Sequence, residues 1–313
     1  MNIVITGALG HIGSYLLRSL PLHFENLNII AVDSLLTQRY FSLFNLPNNT
    51  KYKFIEADIT KLDLSNTLKD VNYVIHLAAI TDATSSFDKK DIVEYNNYNS
   101  TNSVLQYCIN SGIKVIIMSS ASVYGTQNST VDENCSIEEL KPQSPYAEVK
   151  LKEENLVNEI SKNNTLQSVI LRLGTIYGVS PGMRFHTAVN KFCWQAVMNK
   201  PITVWKTALN QKRPYLDLLD LSNSIVHIIK KNLFENEIYN VLTNNLTVKD
   251  IIEHIKQYEK NLSIEYVETN IMNQLSYEVL NKKFINQGFE FKGNINTAIK
   301  ETIAQLKQSN SLI

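Results

Sequence analysis

The sequence predicts an α/β protein built on a doubly wound parallel sheet, with a smaller C-terminal α/β lobe. Three observations carry that expectation. Short, nearly continuous apolar runs alternate with helical patterns through the first half. A glycine-rich turn, TGALGHIG, joins the first run to the first helix. A carboxylate, Asp33, closes the second run.

The strands come first. Asn2–Thr6, Ile29–Asp33, Lys53–Ala57, Tyr73–Leu77, Val115–Ser119 and Ser168–Leu173 are short and apolar, as expected for strands covered on both faces. Between them, His11–Ser19, Leu62–Leu68, Asp91–Ser111 and Tyr146–Ser161 have helical patterning. Strand–helix alternation implies parallel pairing with right-handed crossovers, which places ligands at the carboxyl ends of the strands. After Gly178 the pattern loosens. VSPGMRF reads as a loop. Thr187–Met198 reads as helix, Ile202–Trp205 as strand, and RPYLDLLDL as a return to strand. Leu221–Lys231 is a further helix, Tyr239–Leu242 a strand, and Val248–Lys260 and Thr297–Lys307 are helices. The expected division is a dinucleotide-binding domain over 1–178, rejoined by 214–243, and a substrate lobe from 179–213 and 244–313.

Composition narrows the function. The chain has 313 residues with 30 basic and 30 acidic side chains, which suits one two-part domain or two small ones. The balance argues against a nucleic-acid binder, while leaving room for a local cationic pocket that holds a phosphate. Cys108, Cys135 and Cys193 are far apart and odd in number, so neither a disulfide framework nor a metal site is expected. No run approaches the ~20 apolar residues of a membrane span. MNIVITGALG lacks the basic and long apolar parts of a signal peptide. Reduced thiols in a cytoplasmic protein are the reading that follows.

In the glycine turn, Gly7 permits the tight bend, Gly10 lets backbone approach a pyrophosphate, and Gly13 lets helix and strand pack closely. His11 and Ile12 lie between them, where helix amides and the positive helix end face the phosphates. Asp33 follows Gly13 by 20 residues, close to the ~20 expected of the carboxylate that holds an adenosine ribose. A carboxylate there repels a 2′-phosphate, so NAD is favoured over NADP. Arg39 nearby is the one feature that speaks for NADP.

SPYAEVK places Tyr146 and Lys150 four apart, on one face if the segment is helical. By itself such a pair reads as a snorkelling lysine on an aromatic ring. Downstream of the glycine turn it reads as chemistry. A free phenol titrates near 10 and is a poor base. A neighbouring ammonium, with the positive ring of NAD⁺, favours the phenolate. Tyr146 then takes a proton from a substrate hydroxyl whose carbon loses hydride, and returns it in the reverse direction.

With these motifs the chain resembles the extended short-chain dehydrogenase/reductases, the NAD-dependent epimerase/dehydratase family. The segments that carry the likeness are TGALGHIG, AVD, EADIT, VIHLAA, SSASVYG, SPYAEVK, LRLGTIYG, KRPYLDLLDL and IYNV. The resemblance implies a Ser120–Tyr146–Lys150 catalytic set, because the family's Ser or Thr stands four residues before the tyrosine of VYG. Ser120 hydrogen-bonds the reacting oxygen, and Lys150 also holds the nicotinamide ribose. Asp58 and Ile59 match the adenine contacts. Leu77, Ala78 and Ala79 match the turn beside the pyrophosphate. Asn97 matches an asparagine next to the active site, or is an ordinary polar helix residue. Tyr177 lies where backbone meets the carboxamide.

The same resemblance implies a nucleotide-diphosphate sugar as substrate. Arg213 matches the arginine that pairs with its phosphate, and Asp220 an acidic residue of mainly structural role. Ser122, Thr175 and His186 are the other expected substrate contacts, Thr175 standing where an asparagine is usual. The family's 4,6-dehydratases and decarboxylases place a glutamate just before VYG, and this chain has Ala121 and Ser122. Epimerisation through a keto sugar, at C4 on family precedent, is therefore expected. The alternatives are a 4-dehydrogenase or 4-keto reductase and, as a different class, a non-catalytic NAD(H)-sensing protein. A homodimer is also implied, through a four-helix bundle of Asp91–Ser111 and Tyr146–Ser161 with Val104, Leu105, Leu151 and Val157 as apolar contacts.

Overall fold

Seven short strands, apolar except for the edge strand KYKFIE, hydrogen-bond side by side into one sheet. The computed structural model describes residues 1–81, 86–125, 130–268 and 276–310. In chain order the strands are β1 (Asn2–Thr6), β2 (Asn28–Asp33), β3 (Lys51–Glu56), β4 (Tyr73–His76), β5 (Lys114–Ser120), β6 (Gln167–Leu173) and β7 (Glu237–Val241). Their spatial order is β7-β6-β5-β4-β1-β2-β3, and every pairing is parallel. The order reverses between β1 and β4, and that switch point opens a crevice at the strands' carboxyl ends.

Alternation along each strand divides the core between the two faces. Ile3, Ile5, Ile75 and Ile116 pack with Leu16 and Leu17 of α1 (His11–Ser19). Val4, Val74, Val115 and Ile117 pack with Val104, Leu105, Leu156 and Val157. These last four belong to α2 (Lys90–Cys108) and α3 (Pro145–Asn163). This corrects one expectation. Val104, Leu105 and Val157 are at most 1% exposed and are used up inside this chain, so they cannot be dimer contacts. Ile92 and Tyr95 are the exposed apolar side chains of α2.

The second half builds a separate apolar cluster. Helices Ala188–Val197, Val248–Lys256 and Ile295–Asn310 surround it. Strand Ile202–Trp205 pairs in parallel with Ile264–Val267. A three-stranded sheet of Thr175–Tyr177, Arg213–Asp217 and Asn244–Leu246 lies beside it. RPYLDLLDL divides differently from the expectation. The strand stops at Asp217, whose carboxylate accepts from Leu219 N at 2.9 Å and starts the helix Leu218–Lys231. Leu62–Leu68 shrinks to one turn, Leu64–Thr67, capped by Asp63.

Candidate active site

β5 delivers Ser120 to the carboxyl edge of the sheet, and a short helical turn, Ala121–Tyr124, follows. Ser120 Oγ accepts from Ser122 N at 3.2 Å and from Ser122 Oγ at 2.8 Å. α3 begins on the same edge. Ser144 caps it by accepting from Ala147 N, and Pro145 supplies a preset φ at its first position. Tyr146 thus stands in the first turn and Lys150 one turn on, with Nζ 6.0 Å from the ring centroid. Ser120 stands near enough to the Tyr146 phenol to pull its pKa down. The structure brings together the three residues expected to act as one set.

Their charges are arranged differently from the expectation. Burial pushes the Tyr146 phenol above its ordinary value, and the pull of Lys150, Arg184 and Ser120 does not fully offset it. Lys150 is 5% exposed. Burial disfavours its charge, but Glu153 and Tyr146 more than compensate, and its pKa lies above the ordinary lysine value. The Nζ–Oε2 distance to Glu153 is 2.9 Å.

A cleft runs along the switch point. Gly7, Gly10, His11, Ile12, Gly13, Asp33, Asp58, Ile59, Leu77, Ala78 and Ala79 all line it. Gly7 has φ +65°, and a Cβ there would stand 2.8 Å from Ala78 N. A Cβ on Gly13 would meet Ala8 O at 2.5 Å. Only glycine allows the turn and α1 to lie this close. α1 has no side-chain cap and no acidic residue in its first turn, so its amino end is suited to an anion. His11 Nε2 is bonded to Gly178 O at 2.9 Å. Burial and nearby Arg184 and Arg39 lower its pKa to about 4, so it is neutral. Asp33 holds the turn by accepting from Leu9 N and Leu35 N, and it also lines the cleft, close enough to Arg39 to offset part of the burial that lowers that residue's pKa. These residues fit a dinucleotide: a phosphate cradle at the glycine turn, a carboxylate at one end, and Arg184 leading to Tyr146 at the other.

Of the other expected cofactor residues, Tyr146 and Lys150 stand together outside the cleft lining, and the Asn97 and Tyr177 side chains lie elsewhere. Asn97 is fully buried and clamps the backbone of Ile80, accepting from its N at 2.8 Å and donating to its O at 2.9 Å. It shapes the loop after β4, while Asn96 and Ser100 from the same helix reach the cleft. The Tyr177 side chain is buried in the second apolar cluster, and Ile176 lines the cleft instead.

Of the expected substrate residues, Ser122 supports Ser120 directly. Thr175 and Arg213 stand in adjacent strands of the three-stranded sheet, with Tyr215 opposite Thr175. Neither lines the cleft. Arg213 Nε and Nη2 are shut off from solvent without a hydrogen-bond partner, a state that an incoming phosphate would relieve. His186 is exposed on the loop before Ala188–Val197. Asp220 has the structural role expected, accepting from Lys292 N, Gly293 N and Thr243 Oγ1.

Arg184 and Glu153 were missed by the sequence reading. Arg184 lines the cleft, donates to Thr81 Oγ1 and acts on Tyr146. Its only sequence signal is a cation inside the PGMRF loop. Glu153 has none, because KLKEEN reads as a solvated charge run.

Residues 3–241 match the model of the NAD dependent epimerase/dehydratase family. A UDP-glucose epimerase of Bacillus subtilis (strain 168), itself described as uncharacterized, is 31% identical over 250 residues, 77% of this chain and 76% of that protein. A trifunctional UDP-glucose 4,6-dehydratase/UDP-4-keto-6-deoxy-D-glucose 3,5-epimerase/UDP-4-keto-L-rhamnose-reductase of Arabidopsis thaliana is 27% identical over 320 residues. That match takes in 96% of this chain but only 46% of the plant protein. The UDP-glucuronic acid 4-epimerase of Bacillus cereus, solved with UDP-glucuronic acid and NAD, superposes with TM-score 0.88 at 26% identity. It covers 99% of this chain and 100% of that one. A Rossmann-like sheet with a glycine cradle and a Ser–Tyr–Lys cluster defines a short-chain dehydrogenase/reductase. The chain belongs to the NAD-dependent epimerase/dehydratase family, and it is an NAD-dependent enzyme.

Proposed function

We propose that the protein is a nucleotide-sugar 4-epimerase. The carrying observation is that Ser120, Tyr146 and Lys150 converge while Ala121 and Ser122, the positions before VYG, offer no carboxylate to drive a dehydration. The residues lining the cleft from Asp33 through the glycine turn to Arg184 hold NAD, which when bound supplies reversible acceptance of hydride. Tyr146 removes the proton of the C4 hydroxyl as the C4–H bond breaks. Ser120 hydrogen-bonds the same oxygen. The 4-keto sugar turns over, hydride returns to its opposite face, and Tyr146 gives the proton back. Lys150 keeps a positive charge beside the phenol throughout.

Arg213, with its two unpartnered nitrogens, suits a diphosphate oxygen, in a substrate lobe drawn from 179–213 and 244–313. Arg184 beside Tyr146 gives the sugar pocket a cation, which suits an anionic ring substituent. The Bacillus cereus neighbour binds such a sugar, so UDP-glucuronic acid heads the panel to be tested. The outer faces of α2 and α3, with Ile92 and Tyr95 exposed, are the proposed homodimer surface of a cytoplasmic enzyme.

The test is mass spectrometry of the protein incubated with nucleotide sugars in deuterated water. Inversion without deuterium on ring carbons, lost by ~10²–10⁴-fold in Tyr146→Phe, is the expected result. Ring deuterium would move the reaction to a carbon next to a carbonyl. Net accumulation of NADH would make the enzyme a dehydrogenase. NAD binding without turnover of any sugar would make it a sensor.

A further inference from the structure

The strongest feature outside the expected set lies behind Lys150. Glu153 is 1% exposed, yet among the described residues its only close partner is the Lys150 ammonium at 2.9 Å. A buried lysine ordinarily gives up its proton rather than its solvation. Here a chain of donors leads to the opposing carboxylate. Thr6 Oγ1 accepts from Leu77 N at 3.1 Å and Ala78 N at 3.2 Å, so its own proton goes to His76 Nδ1 at 2.8 Å. His76 Nε2 is then the protonated nitrogen, and it donates to Thr101 Oγ1 at 3.1 Å. That leaves the Thr101 hydroxyl proton facing Glu153, where it favours the carboxylate. The contact is loose, since Glu153 Oε1 has no partner at ordinary hydrogen-bonding distance. The glycine turn, the β4 edge and α2 thus converge on one buried anion.

We propose that Glu153 is a positioning residue that keeps the Lys150 ammonium charged and fixed beside Tyr146. The groups facing the pair are few. On α3 they are Tyr146 and Glu154; across the interface they are Thr101 of α2 and neutral His76 of β4. Arg184 faces Tyr146 from the loop after β6. Without Glu153, the neighbours left to oppose burial are Tyr146, neutral until it acts, and Glu154, already forked to Arg172. The sign follows. A lysine whose pKa falls is charged below that value and loses its charge as pH rises through it.

The inference rests on the catalytic reading of Lys150, but its test does not need turnover. In protein labelled with carbon-13 at the lysine ε-carbons, the Lys150 signal is assigned by its loss in Lys150→Met. In the wild type it should stay in the ammonium position as pH rises. In Glu153→Gln it should move to the neutral position at lower pH, and in Glu153→Asp, which keeps the charge, it should follow the wild type. A Gln variant whose Lys150 titrates like the wild type, or an Asp variant whose lysine discharges early, overturns the proposal; the Asp arm decides the matter if the Gln protein does not fold. With substrate, Glu153→Gln should gain a limb of falling kcat on the alkaline side, which lost packing alone would not produce. Failure of the titration refutes the role of Glu153 and leaves the epimerase reading standing. Absence of turnover in the wild type refutes the latter only.

Discussion

Arg172 lies forked over Glu154, with Nε 3.0 Å from Oε1 and Nη2 2.7 Å from Oε2, both side chains nearly sealed from solvent. Arg172 belongs to β6 and Glu154 to α3, so this pair fixes the helix that carries Tyr146 and Lys150 against the sheet. Ser119 of β5 donates to the same carboxylate, and the guanidinium stacks 4.9 Å from the Tyr124 ring. Removing one partner strands a buried charge. Glu154→Ala or Arg172→Met should each cost about 3–5 kcal/mol of unfolding free energy. Denaturant melts check this, and a loss under about 1 kcal/mol would mean that the fork is not holding the helix.

Two buried histidines make the fold acid-sensitive. Burial lowers His11 from 6.5 to about 4 and His76 from 6.5 to about 3. The folded state therefore resists a proton that the unfolded chain accepts. The stability each contributes is complete above pH 6.5 and is lost progressively as pH falls toward about 4 for His11 and about 3 for His76. In that window the slope is about 1.4 kcal/mol per pH unit for each histidine. Unfolding free energies measured across pH 4–7 should fall on acidification, and His76→Gln should flatten the curve relative to the wild type. An unchanged slope in that variant would remove His76 as the cause.

Asp33 and Arg39 face one another at the ribose end of the cleft. On the proposed reading the carboxylate selects against a 2′-phosphate, which the guanidinium would accept. Asp33→Ser should therefore weaken NAD and strengthen NADP, shifting their affinity ratio toward NADP by about 10-fold or more. Calorimetric titration of both dinucleotides reads this directly. NADP binding that stays as weak as in the wild type would mean that Arg39 does not serve the phosphate.

Much of this was legible before the structure. Strands covered on both faces are mostly apolar, so all seven sheet strands were located to within two residues at either end. The glycine turn was legible because no other residue meets its steric demands at Gly7 and Gly13. Tyr146 and Lys150 were legible because helical spacing is a local property. The start of Leu218–Lys231 was missed although its signal was present: Asp217 is a typical N-cap, and leucines after it fit strand and helix equally.

What the sequence by itself determined is everything that local sterics and periodicity dictate: the order of elements, the phosphate-cradling turn, and the tyrosine with its lysine. Only the tertiary structure decided which charges are buried together. Glu153, Glu154, Arg172 and Arg184 look like surface residues in one dimension. Packing α3 against β5, β6 and α2 pairs Glu154 with Arg172, sets Thr101 near Glu153 and strips these charges of water, while the loop after β6 carries Arg184 to the cleft. Desolvation depends on what covers a group, and that is a property of the assembled chain alone.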